Sequence, residues 1–160
     1  MRIIILCFLL VFNVFRAQAQ VPEFTVEKIQ SKNGKPNRIF FTALWCSPCM
    51  GKYKVFVDSL AQDTSYNNYV MFDRMGFSTS KLMKMQDRIF DTTRSFLVPY
   101  EHYVIKKGIN INVQSKALAR LMQNIKSSFH SDTDFKKFWC GDLLFVNPAN
   151  ELSWKKISYI

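Results

Sequence analysis

The chain has little glycine, proline or histidine: 5 Gly, 5 Pro and 2 His in 160 residues. No glycine-rich phosphate loop can be traced in it, so nothing points to a nucleotide site. With two histidines a Cys–His hydrolase is a poor fit. Zinc would require Cys46, Cys49, Cys140 and His102 or His130 to converge, and there is no second metal-spaced pair. Cys49 is followed by Met50, which excludes the haem-attachment pattern. A thiol or selenium peroxidase would need a differently placed peroxidatic residue. Acids are scarce beside bases, 12 against 22, for a net charge of +10. No nucleic-acid motif accompanies that charge. Solubility explains it most simply, with attraction to an acidic protein partner or an anionic membrane surface as the alternative. There is no internal repeat and no low-complexity tract.

No apolar run reaches the ~20 residues of a bilayer span. The longest, Ile3 to Phe15, follows the basic start Met1-Arg2 and is broken only by Asn13. Ala17-Gln18-Ala19 then gives the small-x-small pattern of a signal peptidase site. Residues 1–19 read as a cleaved secretory signal with Gln20 as first mature residue, and an uncleaved membrane anchor is the alternative. Cys7 lies too early for a lipid acceptor and leaves with the signal. Two arginines leave as well and no acid does, so the charge falls from +10 to +8. What remains is one domain of ordinary size, with a periplasmic or extracellular location.

What is present is chemically specific. Trp45-Cys46-Ser47-Pro48-Cys49 joins the apolar run Ile39–Leu44 to a stretch that reads as helix. A thiol at a strand-to-helix junction meets free backbone N–H groups and the positive end of the helix dipole, which favour the thiolate. A second thiol one turn on can attack a mixed disulfide made by the first. So short a loop adds little stability as a staple. The pair makes sense as an active disulfide. Cys140 stands apart, as a buried free thiol or as half of a regulatory or intermolecular disulfide.

The remaining pattern predicts a compact α/β unit. Phe24–Ile29 alternates like an opening strand, and Arg38–Leu44 reads as a buried strand. Pro48–Ala61 has helical spacing, and Tyr69–Phe72 reads as a second buried strand. Ser78–Phe90 follows as a helix, with Ser78 or Ser80 as cap. Tyr100–Ile105 and Ile109–Val113 read as a hairpin about Lys106-Lys107-Gly108, and Gln114–Phe129 as an amphipathic helix. Leu143–Val146, Asn147-Pro148-Ala149-Asn150 and Leu152–Ile160 form a second hairpin signal, suited to extending the sheet or capping an edge. Trp139, Trp154 and Tyr159 are concentrated there, for core packing or a partner surface.

This order of elements around Trp-Cys-x-Pro-Cys resembles the thioredoxin-like proteins over residues 38–128. With the export signal it resembles their extracytoplasmic, TlpA-like thiol–disulfide branch. The resemblance implies a thioredoxin fold, a central mixed sheet flanked by helices, over residues 20–129, with 130–160 as a C-terminal extension packing on the same domain. It implies Cys46 as attacking thiolate, Cys49 as buried resolving thiol, and Trp45 as an apolar cover offered to substrate. Ser47 and Pro48 would tune the potential within a range of about −270 to −120 mV. The family's cis-proline, facing the disulfide where a strand leads into a hairpin, would be Pro99. The Val98 backbone would then pair with an incoming peptide, whereas otherwise Pro99 merely opens a strand. The family's buried acid, six residues before the first cysteine, is here Phe40. Asp73, Glu101 and His102 are the conceivable substitutes. The resemblance implies no cofactor. Implied partners are protein thiols and disulfides and a membrane electron donor, with reduction of partner disulfides as the activity. The alternatives are an oxidase or isomerase using the same cycle, and a redox-inactive binding module, for which the acid missing at Phe40 and the few glycines speak.

Overall fold

The computed structural model describes residues 22–43, 46–73, 94–99 and 112–157. Their sheet is mixed and five-stranded. It is built from β1 (Asn37–Ala43), β2 (Asn67–Asp73), β3 (Ser95–Leu97), β4 (Asp142–Val146) and β5 (Leu152–Lys156), in the order β3-β2-β1-β4-β5. β1 runs parallel to β2, and β2 parallel to β3. β4 lies antiparallel on the other side of β1, and β5 pairs antiparallel with β4. Among the described residues there are two α-helices, α1 (Ser47–Val55) and α2 (Asn112–Ser128). The molecule is α/β. None of the described helices is long and apolar enough to cross a membrane.

β1 is buried along its whole length because the sheet is covered on both faces, which explains its near-continuous apolar sequence. Side chains alternate across a strand. Ile39 and Phe41 join Met71, Leu144, Leu121 and Ile125 in one core, the α2 side. Phe40 joins Phe72, Leu143, Tyr53 and Phe56 in the other, the α1 side. Cys49, Tyr53 and Phe56 are the buried residues of α1 and the turn after it, at helical spacing. Phe40 stacks on Phe56, centroids 5.1 Å apart, and leans on Tyr53 at 5.8 Å. An aromatic cluster thus fills the position where the family resemblance would place an acid.

α1 runs on into a wider, π-type turn at Phe56–Leu60. Arg38, buried at the start of β1, ties that turn down. Its Nε donates to Asn68 Oδ1 at 2.8 Å, another nitrogen donates to the Leu60 carbonyl, and a third pairs with Asp63 at 3.4 Å. The guanidinium also lies over the Tyr66 ring.

Two expectations are corrected. Phe24–Ile29 forms no strand: a 3-10 turn spans Val26–Lys28, and Phe24 and Ile29 are buried in the core. Only Glu23 bridges to Leu97, because Val26–Ile29 bends to tuck both apolar ends inward. Asn112 and Val113 open α2 instead of closing a strand. β3 (Ser95–Leu97) is a strand with no counterpart in the sequence pattern. The helix expected over 78–90, most of the hairpin expected over 100–113, and Tyr159 lie outside the described residues.

Candidate functional site

β1 ends at Ala43 and α1 begins at Ser47, so Cys46 caps the helix from the end of the central strand. Its backbone is extended, and its Sγ accepts the Cys49 N–H at 3.2 Å. Its own N–H donates to the Ala43 carbonyl, and its carbonyl receives the Met50 N–H. Pro48 sits in the first turn, where its missing N–H costs nothing. No acid lies in that turn to offset the helix dipole.

Cys46 and Cys49 are joined by a disulfide, Cα atoms 5.2 Å apart. The two sulfurs differ in access. Cys46 is half-buried, Ser47 and Pro48 are exposed, and Cys49 is 2% exposed. An incoming sulfur therefore meets Cys46. The cause is the helix: Cys46 is its N-cap, and Cys49, three residues on, lies on its buried face with Tyr53. Trp45 lies outside the described residues.

The segment against the disulfide is Trp139–Asp142, at the start of β4. The Cys140 carbonyl oxygen lies 3.5 Å from Cys49 Sγ. The Gly141 N–H donates to the Phe41 carbonyl at 2.7 Å, which fastens the turn to β1. Gly141 has φ +90°, a conformation that glycine adopts freely, and a Cβ there would meet Lys52 Cδ at 2.7 Å. Asp142, 1% exposed, receives the Trp139 N–H at 2.9 Å and pairs with Lys52 Nζ at 3.7 Å. Lys52 is three residues after Cys49, on the same face of α1. Burial raises the proton affinity of the Asp142 carboxyl, against the opposing pull of the Trp139 N–H and of Lys52 and Lys156. Cys140 is a free, half-buried thiol. Burial first, then the charges of Asp73 and Asp142, push its pKa up to about 12.

Val98 and Pro99 do not take the place expected of them. Among the described residues no peptide bond is cis, so the Val98–Pro99 bond is trans. Val98 follows β3, its N–H donates to the Phe72 carbonyl at 3.0 Å, and β2 stands between β3 and β1. That N–H is taken up by the sheet and is not open to a peptide. The strand that leads into a hairpin beside the disulfide is β4, and the residue at its threshold is Gly141. Among the proposed substitutes for an acid at Phe40, Asp73 is buried at the end of β2 and acts electrostatically on Cys140. Glu101 and His102 lie outside the described residues. Lys52, Gly141 and Asp142 escaped the sequence reading. Their one local signal is a glycine followed by an acid immediately before the apolar run Leu143–Val146. The described residues contain no cluster of three or more His, Cys, Asp or Glu side chains suited to a metal ion. The chain matches no protein-family model and no curated protein.

Proposed function

We propose that the protein is an exported thiol–disulfide oxidoreductase of thioredoxin-like, TlpA-like kind that reduces disulfides of partner proteins. The observation that carries this reading is the asymmetric disulfide: an accessible Cys46 at the N-terminus of α1, bonded to a buried Cys49. The parallel β1-β2 pair with antiparallel β4-β5 beside β1 is compatible with a thioredoxin-like fold and supports the reading.

In the proposed cycle the Cys46 thiolate attacks one sulfur of a substrate disulfide and expels the other as thiolate. Cys49 then gives up its proton and attacks Cys46 Sγ. The Cys46–Cys49 bond forms, the second substrate thiolate leaves, and two electrons have passed to the substrate. Until that step the Cys49 S–H has the Cys140 carbonyl to donate to. The Cys49 proton passes to the substrate thiolate expelled in the first step, and Asp142 holds the turn that presents the Cys140 carbonyl, through the Trp139 N–H and Lys52. A membrane electron donor returns two electrons to the disulfide, since the compartment is oxidising. Run the other way, the same cycle makes an oxidase or isomerase.

A trap tests the reading. Cys49→Ser leaves Cys46 free to attack and removes the resolving step. In the exported compartment this variant accumulates mixed disulfides with other proteins, seen as bands that collapse under reductant. Cys46→Ser accumulates far fewer. Equal, background-level adducts from both variants would support a binding module, the reading that the aromatic packing around Phe40 favours.

A further inference from the structure

Large apolar side chains open to solvent are rare in this structure. Among the described residues they are Val57 and Trp139, the latter 44% exposed. Trp139 adjoins Cys140, whose carbonyl touches Cys49 Sγ. An indole is thus left in water beside the redox pair.

The backbone that carries it is fixed on both sides. Phe138, just before, is 4% exposed and packs edge-on against Phe41, Phe135 and Trp154. The Trp139 N–H is bound by the Asp142 carboxylate, and its carbonyl receives the Asp142 N–H at 3.1 Å. Gly141 is tied to β1. Trp154 shows the contrasting case: its Nε1–H donates to the Asp134 carbonyl, and its ring is packed on the core. A rigidly based, solvent-facing aromatic loses little entropy on binding and buries much apolar area, which is how the strongest contacts of protein interfaces are built.

We propose that Trp139 is the docking platform for the polypeptide segment around the target cysteine, a segment carrying an apolar or aromatic side chain near its disulfide. This rests on the oxidoreductase reading. The position selects the occupant: whatever covers Trp139 lies against the turn that touches the disulfide, within reach of the half-buried Cys46. The size selects it too. One indole offers about 150–250 Å², far below the ~800 Å² per partner of a stable dimer but ample for a short peptide contact.

The test compares a protein disulfide with a small one, using the full chain. Wild type, Trp139→Ala and Trp139→Phe are assayed on insulin with dithiothreitol as recycling reductant, and on 5,5′-dithiobis(2-nitrobenzoate) in single turnover after reduction and removal of the dithiothreitol. Trp139→Ala should raise KM for insulin about tenfold with kcat within about twofold. Its rate on the small disulfide should be unchanged, which also shows that it is folded. Trp139→Phe should restore most of the loss. An equal loss on both substrates, or none on insulin, overturns the platform. So does conversion of a dimer to a monomer by Trp139→Ala in sedimentation, which gives the indole to a second copy of the chain. A wild type inert on both disulfides, with its cysteines free after reduction, removes the oxidoreductase reading itself and the platform with it.

Discussion

At the residue scale the three cysteines described have separate duties, set by their surroundings. Cys46 is given access and a helix N-terminus. Cys49 is given burial and a carbonyl. Cys140 is given neither a partner sulfur nor a favourable field: its pKa of about 12 keeps it a thiol at neutral pH, and its contribution to the site is its backbone oxygen. The sign of the resulting pH dependence follows by linkage. The unfolded thiol loses its proton near its ordinary value of 9.0, while the folded one holds it to about 12. The unfolded state thus binds fewer protons between those values, and stability falls as pH rises through them. Cys140→Ser should flatten that part of the stability–pH curve of the oxidised protein, measured by urea unfolding, and leave disulfide exchange unchanged. Rapid alkylation of Cys140 by iodoacetamide at pH 8 in folded protein would contradict this account of its environment.

At the element scale, β1 and α1 were legible because their signals are local. A buried aromatic run, a cap position and a proline in the first turn specify strand, loop and helix without help from distant residues. The same holds for β2, α2 and the β4-β5 hairpin. What the sequence could not disclose was which hairpin lies beside β1. Residues 100–113 and 143–157 both alternate about turn residues, and Pro99 marks the first as strongly as anything local marks the second. Pairing with β1 depends on contacts about a hundred residues apart, such as Ile39 with Leu144, and no local pattern encodes them. β3 went unread because three residues are too few to show a period. The Phe40 substitution was visible in the sequence, but its cause needed the structure: Tyr53 of α1 and Phe56 of the turn after it pack two aromatic rings against that position. Phe40→Ala should cost about 3–5 kcal/mol, and Phe40→Asp should cost more, because a buried unpaired carboxylate is added to the lost packing. Denaturant unfolding of the oxidised proteins measures both. An aspartate tolerated within about 1 kcal/mol would show a polar niche at this position and contradict the aromatic packing.

At the scale of the whole molecule, the sheet divides the labour between its two flanks. The parallel strands carry the chain to the carboxyl end of β1, where α1 starts and Cys46 emerges. The antiparallel pair β4-β5 brings Trp139–Asp142 back to the same end and closes the site from the other side. Residues 142–156 are therefore two of the five strands, and they complete the site that the Trp-Cys-x-Pro-Cys motif begins. The proposed function requires that this assembly cycle between disulfide and dithiol without unfolding. The most direct measurement is the redox equilibrium of the full chain in graded glutathione or dithiothreitol buffers, with trapped thiols counted by mass. The account predicts one reversible two-electron transition at Cys46–Cys49, with Cys140 a thiol throughout. A midpoint toward −270 mV fits the reductase and one toward −120 mV an oxidase or isomerase. A Cys46–Cys49 pair that stays locked in folded protein, or that exchanges its disulfide with Cys140, would contradict the account.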